Sequence, residues 1–524
     1  MNRLQDRTLT EWLRGNAEKR PQAVAVETAT EKLTYEALWQ NVCRLCSGLA
    51  RLGVEKGDVV AGRLPNTMDY ITLFLAVAAR GGIFQTLHMA YRHKELGMLL
   101  ADSKAKVAFI ATTADDTELN GAPLVLQKSL PDLHAIVAVG DPLPGARTYA
   151  ELTATEARAD DLVQTTTDDL YLLLYTSGTT SRPKGVPHSY RNFLNNALYA
   201  SEELQLDSSA RILSLAAMTH LYGLFTLHLS LASGATTTLL PKFNPHTLLS
   251  NLPSLKPSAV FAAPAHFAPL VSSGALNSHH LHSVRLLCLS GATVPPMLAQ
   301  ALSTTLHDGA VIQLWGMSEL QAGAFGRPDD PYEKRIHTAG RASPQLSLRV
   351  TSFSDEALPA GTEGALEAKG FSVFKGYWHN DEETKKAFTD DGWFRTGDLA
   401  VIDDDGFITL TGRTKELINR GGVKYNPVEV ELLVSKLDAV ESCAVVGLPD
   451  PVLGERACVC VKLAGDKNVS LAEITNALSQ AGLAKYKWPE SMVVVDSFPV
   501  TPTNKVIRKQ LIDQIKETTN PSHS

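Results

Sequence analysis

Residues 171–193 read YLLLYTSGTTSRPKGVPHSYRNF. A short apolar run passes into a turn dense in Ser, Thr and Gly, then Arg182 and Lys184, and a helix is expected from near Ser189. Strand, tight turn and helix form the half-unit of a parallel sheet covered by helices. The turn is also a candidate site. Successive small residues can aim backbone N–H groups inward as an anion nest, with hydroxyls as further donors and Lys184 as a mobile positive charge. Gly185 follows Lys184 where the Walker pattern needs Ser or Thr, and Pro183 precedes it. A polyphosphate loop of another type is expected; the alternative, a plain Gly/Ser-rich surface loop, does not call for this density of donors beside a lysine.

On either side of this unit the same texture repeats. GDVVAGRLP, KVAFIAT, HAIVAVG, SAVFAAP and VRLLCLSG are short apolar runs bounded by Gly, Pro or Ser. Helical stretches separate many of them, such as the one carrying Leu38, Val42, Leu45, Leu49 and Leu52 at spacings of three and four. This is α/β patterning with mainly parallel sheets. After about residue 345 hairpins follow, GALEAKG and then LAVIDDDGFITLTGR around an acidic Gly-bearing turn. From Glu416 a helix opened by Pro427, two strands (ESCAVVGLP and ERACVCVKL) and a second helix (LAEITNALSQAG) make a small α+β domain. The chain is therefore divided into a core, 1–412, a joint, 413–415, and a C-terminal domain, 416–524.

Composition excludes several classes. With 524 residues, 44% apolar, 20% charged, 36 Gly and 27 Pro, the chain is neither collagen-like nor disordered. Its net charge of −7 supplies no global field for nucleic acid or an anionic membrane. Six cysteines in this length make no disulfide framework, and Cys43 and Cys46 sit in a helical run with no second pair nearby, so they are read as core thiols. Residues 213–240 hold no Asp, Glu, Lys or Arg, but Thr219, His220, Ser230, Ser233, Gly234 and Thr236–Thr238 interrupt them. A buried helix followed by a buried strand is expected, and no membrane span. The first residues are charged where an export signal is apolar, and the polar end is not a peroxisomal address, so the cytoplasm is the expected location.

Four further clusters bear on chemistry. QLWGMSE (residues 313–319) joins an aromatic, a Gly, a hydroxyl and a carboxylate; GWFRTGDLA places Asp398 in a turn suited to accepting from two ribose hydroxyls. LTGRTKELINRGG puts Arg413 and Lys415 at the joint, and PVTPTNKVIRKQL puts Lys505 in a Pro- and Thr-rich loop. In this order and at these spacings, over nearly the whole chain from about Thr8 to Leu511, the sequence resembles the adenylate-forming superfamily, most of all its acyl- and aryl-CoA synthetases. The resemblance implies two sheet-and-helix subdomains plus a small β-barrel, hinged to a small C-terminal lid.

It also implies roles. The loop, here Thr176, Ser177, Gly178, Thr179, Thr180 and Lys184, would hold the ATP phosphates, and Gly291, Ala292 and Thr293 of SGATVP would border the nucleotide. Trp315 stands at the usual adenine-stacking Tyr, followed by Gly316, Met317 and Ser318, the last at the usual Thr beside the α-phosphate; Glu319 stands at the Mg2+-binding Glu. Asp398 and Arg413 would meet the ribose, Lys415 would be the hinge, and Lys505 the lysine of the adenylation step. Where the family pattern has Gly, Ser181 and Asn504 stand here, and no charge or hydroxyl that the chemistry needs is lost.

His220, in AAMTHLYGL, matches a position at the carboxylate end of the acyl pocket, with Tyr222, Gly223, Gly316, Met317 and Gly323 as further lining; the plainer reading of His220 is a packed core histidine. The absence of a carboxylate in residues 213–240 argues against an amino acid substrate, whose buried ammonium would lack a partner. A medium-chain, cyclic or aromatic monocarboxylate fits. LINRGGVKYNPVEVE resembles a CoA-ligase lid, with Gly421, Gly422 and Lys424 toward CoA. CoA is the first acceptor; a separate acyl-carrier protein, a luciferase-like oxidation and a non-catalytic nucleotide sensor remain the alternatives.

Overall fold

In the strand Leu286–Leu289, Leu286 and Cys288 join one buried cluster while Leu287 and Leu289 join another. Alternate side chains of a strand point to opposite faces, so an all-apolar strand must be covered on both. It lies inside a nine-stranded sheet in the order Arg341–Ala342, Gln321–Phe325, Ala310–Met317, Leu286–Leu289, Ala259–Ala262, Arg211–Ser214, Thr236–Thr238, Val24–Glu27, Lys32–Thr34. The six strands from Ala310–Met317 to Val24–Glu27 run parallel, and antiparallel strands close both edges. The computed structural model describes residues 6–113, 124–176, 183–241, 243–306, 308–421, 423–500 and 506–519.

A second sheet of seven strands runs Arg147–Thr148, Ala135–Gly140, Val107–Thr112, Val59–Arg63, Ile83–Thr86, Leu170–Thr176, Lys184–Ser189, parallel except for its last pair. Here too the faces alternate, with Val60 in the cluster shared with the first sheet and Val59 and Ala61 in the outer one. The shared cluster holds Val26, Ile212 and Phe261 of one sheet, Val60, Phe84 and Phe109 of the other, and the helices Tyr35–Arg51, Met68–Ala79, Tyr190–Glu203 and Leu221–Ser233. Thr34, Thr67 and Ser189 begin three of these helices, each side chain accepting from a backbone N–H of the first turn.

The charge-free stretch resolves as expected into the buried helix Leu221–Ser233 and the strand Thr236–Thr238. Among the described residues no helix is long and apolar enough to cross a membrane. Cys43 and Cys46 lie in the helix Tyr35–Arg51; both are free, and burial pushes their thiols up to about 11 and about 12.

By compactness the chain forms two units, Met1–Ser347 with Ala368–Phe394, and Leu348–Glu367 with Arg395–Ser524. Most of a four-stranded sheet falls in the second, in the order Leu346–Thr351, Gly364–Gly370, Phe394–Ile402, Ile408–Arg413, of which the last two form the expected acidic hairpin. The second unit also contains the strands Val440–Asp450 and Gly454–Leu463 with the helices Val428–Val434 and Leu471–Gln480, the small α+β arrangement read from sequence. Lys415 lies in the single turn Thr414–Glu416 between these two parts.

One buried group of the first unit gives a pH prediction. His228 is fully buried; its Nδ1–H donates to the Leu224 carbonyl at 2.6 Å and its Nε2 accepts from the Tyr171 hydroxyl at 2.9 Å. Burial holds its pKa down to about 4. The unfolded chain takes up a proton there below about pH 6.5 and the folded chain does not until about pH 4, so this group lowers stability as pH falls through that window. The slope is about 1.4 kcal/mol per pH unit. Urea unfolding of His228→Gln between pH 4 and 7 is expected to show a shallower slope by that amount; an unchanged slope would contradict the assignment.

Candidate active site

The predicted phosphate loop closes a hairpin. Strand Leu170–Thr176 pairs antiparallel with strand Lys184–Ser189, with Thr176 opposite Lys184. The helix Tyr190–Glu203 follows directly, begun by Ser189 as expected, but a strand lies between loop and helix. The loop therefore joins two antiparallel strands and does not lead directly into a helix N-terminus. Ser177, Gly178, Thr179 and Thr180 lie outside the described residues.

Lys184 is mostly buried. Its ammonium is ion-paired with Glu383 and sits 4.7 Å from the centre of the Tyr377 ring. Hydrogen bonding from Lys184, then from Lys386, holds the Glu383 carboxyl down to about 2. Beyond the ring, the Tyr377 hydroxyl donates to Glu319 Oε1 at 3.0 Å, and burial together with the Glu319 charge raises that phenol well above its usual range. Sequence reading found Lys184 and Glu319 and missed Tyr377 and Glu383, which join them.

Glu319 tips a tight hairpin between Ala310–Met317 and Gln321–Phe325, made possible by Gln321 at φ 66°. Trp315, on the first strand, is buried against Gly323: a Cβ there would come within 2.5 Å of the indole. Gly316 meets the Gln321 carbonyl in the same way, at 2.0 Å from a would-be Cβ. Both glycines are therefore needed for close packing of the hairpin, whatever pocket they border. Met317, Ser318 and Glu319 are half-buried and Gly316 is exposed, so this edge is accessible.

Gly291, Ala292 and Thr293 leave the neighbouring parallel strand and are exposed; Gly291 has φ 87°, which favours glycine, and open space around it. His220 follows strand Arg211–Ser214 and begins helix Leu221–Ser233, its ring 5.0 Å from that of His88. Tyr222 is tied down by its hydroxyl donating to the Cys288 carbonyl at 2.9 Å, and Gly223 packs against the Ala217 carbonyl. These residues follow the carboxyl ends of two parallel strands of one sheet, with Ala259–Ala262 between them, on the side where open α/β sheets bind ligands. The helix Leu221–Ser233 carries no Asp or Glu.

In the second unit, Asp398 and Arg413 face each other across the hairpin, with Nε 3.3 Å from Oδ1. Asp398 is buried and Arg413 half-exposed. Lys415 is exposed, as is Gly421 at φ 61°. Gly422 lies outside the described residues, and Lys424 is described only as backbone in strand Val423–Tyr425. Lys505 also lies outside them. Its neighbours are placed: Val506 bridges to Val500, and the Ile507 N–H donates to the Pro499 carbonyl at 2.7 Å. Arg508 is largely buried and pairs with Glu416 at 3.1 Å and Glu431 at 2.7 Å.

Residues 429–505 match the AMP-binding enzyme C-terminal domain. A feruloyl-CoA synthase of Amycolatopsis sp is 32% identical over 97% of this chain and 99% of its own length. The medium-chain fatty-acid–CoA ligase of Escherichia coli (strain K12) is 29% identical over 98% and 92%. Among solved structures, ATP-bound MatB from Rhodopseudomonas palustris superposes with a TM-score of 0.89 at 27% identity, covering 98% of this chain and 100% of that one. The anthranilate CoA ligase AuaEII in complex with anthranoyl-AMP gives 0.88 at 25%, covering 99% of each. With residues 13–378 matching the AMP-binding enzyme family as well, this chain belongs to that family.

Proposed function

We propose that this AMP-binding enzyme uses ATP to convert a carboxylic acid to an acyl-adenylate, releasing pyrophosphate, and passes the acyl group to CoA as a thioester. The supporting observation is the pair Lys184 and Glu319, a cation and a carboxylate held on either side of Tyr377 where the loop hairpin and the Glu319 turn meet. That pairing complements a metal-bound triphosphate. Among the described residues no three His, Cys, Asp or Glu gather to hold a metal ion. A single carboxylate suits Mg2+ arriving on a triphosphate, since that ion keeps several waters and takes one or two carboxylates. When bound it would neutralise phosphate charge.

The chain's own residues have defined tasks in this reading. Lys184 offsets charge on the β- and γ-phosphates, and Trp315 offers its indole to the adenine. Asp398 accepts from the ribose hydroxyls beside Arg413. Lys505 draws the carboxylate and the α-phosphate together, holding two anions in line for attack. The joint at 413–415 would separate a core, 1–412, from a lid, 416–524, that turns between the two half-reactions. Gly421, Gly422 and Lys424 would then serve CoA.

The acid is proposed to be medium-chain, cyclic or aromatic, bordered by His220, Tyr222, Gly223 and Met317. The helix Leu221–Ser233 offers no counter-charge for an α-ammonium. Pyrophosphate exchange across such a panel, repeated with CoA and then with an acyl-carrier protein as acceptor, tests the reading. Exchange with at least one acid and thioester formation with CoA are expected. ADP and inorganic phosphate as products would overturn it, and ATP binding without exchange for any acid would favour a sensor.

Glu319→Gln is expected to lower adenylation by weakening Mg2+ binding about tenfold, with partial recovery at high Mg2+. Titrating Mg2+ in the exchange assay checks this; a wild-type Mg2+ profile would show that Glu319 does not serve the metal.

A further inference from the structure

A short strap ties the two phosphate-side elements together. The Phe374 N–H donates to the Glu319 carbonyl at 2.7 Å, and four residues later the Trp378 N–H donates to the Gly185 carbonyl at 2.8 Å. Residues 374–378 therefore bridge the Glu319 hairpin and the Lys184 strand by backbone alone. Tyr377 lies between these anchors. Its own N–H donates to Thr384 Oγ1 at 2.9 Å, and its ring packs edge-on against Phe374 with centroids 4.8 Å apart. One face of the ring takes the Lys184 ammonium and its hydroxyl takes the Glu319 carboxylate.

We propose that Tyr377 is a positioning residue that holds Lys184 and Glu319 in one fixed relation for the metal–triphosphate, and that Glu383 holds Lys184 on the ring until phosphate replaces it. This rests on the proposed roles of Lys184 and Glu319. A phenol is suited to the task because its two ends do different work: the π face attracts an ammonium, while the hydroxyl donates to a carboxylate and fixes its position. Glu383 stands where an incoming phosphate would compete. It need not be left without a partner on exchange, since Lys386 already donates to it at 3.0 Å. Lys184 thus trades one anion, the Glu383 carboxylate, for another.

Equilibrium binding of ATP, measured by calorimetry without acid, separates the parts. It is run once with EDTA and once across a Mg2+ series. Lys184→Ala and Glu319→Gln first test the underlying reading: the former should weaken binding in both conditions and the latter should lose the Mg2+ enhancement. Tyr377→Phe keeps the ring and removes the hydroxyl. It should bind ATP in EDTA within about twofold of wild type and lose about tenfold of the Mg2+ enhancement. Tyr377→Leu should in addition weaken metal-free binding about fivefold. Glu383→Gln should move the opposite way, tightening metal-free binding about three- to fivefold by removing the competitor.

Equal loss in both conditions for Tyr377→Phe, or an unchanged Mg2+ enhancement, would overturn the positioning role while leaving Lys184 and Glu319 intact. Weaker metal-free binding in Glu383→Gln would overturn the exchange. Wild-type binding by both Lys184→Ala and Glu319→Gln would remove the proposed function and this inference together. Thermal unfolding accompanies each variant; should Tyr377→Leu fail to fold, Tyr377→Phe and the partly exposed Glu383→Gln still decide both parts.

Discussion

Lys505→Ala is expected to slow acyl-adenylate formation about a hundred- to thousandfold while sparing thioester formation from supplied acyl-adenylate. A contact made to a buried anion in the transition state is commonly worth ~3 to 4 kcal/mol, which is that factor in rate. The segment bearing Lys505 is bracketed by the Val500–Val506 bridge and by Arg508, whose guanidinium is tied to Glu416, the residue after the proposed hinge, and to Glu431. Separate assays of the two half-reactions check this, and equal loss in both would refute the division of labour even if the enzyme class stood.

Lys415→Pro is expected to do the reverse, leaving adenylation near its wild-type rate and suppressing thioester formation by about tenfold or more, because a fixed φ opposes rotation at the joint. Lys415 is exposed in the turn Thr414–Glu416, so its side chain has little packing to lose and the backbone effect can be read cleanly. The same two assays decide it. Loss of adenylation with retained thioester formation would place the joint elsewhere.

Much of the fold was legible because parallel strands buried on both faces leave unbroken apolar runs. Residues 286–289 and 259–262 are such runs, and the structure gives them neighbouring places in one sheet. The strand Lys184–Ser189 was not legible. Its sequence, KGVPHS, contains Gly185 and Pro187, residues that argue against a central strand. It lies at the sheet edge, where a missing N–H is tolerated. The hairpin Ala310–Met317 to Gln321–Phe325 was hidden for a similar reason: its turn depends on Gln321 adopting positive φ, which nothing local announces.

At the site, the residues readable from sequence were those in short motifs: Lys184, Trp315, Glu319, Asp398 and Arg413. The structure sets Asp398 against Arg413 and Lys184 near Glu319. What sequence could not give were partners distant along the chain. Glu383 sits in the charged run NDEETKK, which by itself reads as a solvated helix face, and it meets Lys184 across 199 positions. Arg508 likewise finds Glu431 across 77. Such pairs are set by topology and carry no local pattern.

Attack of a carboxylate oxygen on the α-phosphorus of ATP leaves an isotopic trace. An acid that supports exchange is labelled with 18O in both carboxylate oxygens and turned over with ATP, Mg2+ and CoA, and the phosphorus-containing products are analysed by mass spectrometry. Thiol attack on the acyl carbon breaks the acyl–oxygen bond, so AMP must keep the bridging oxygen. One 18O in each AMP and none in pyrophosphate is the expected result; unlabelled AMP, or label in inorganic phosphate, would rule out attack by the carboxylate on the α-phosphorus.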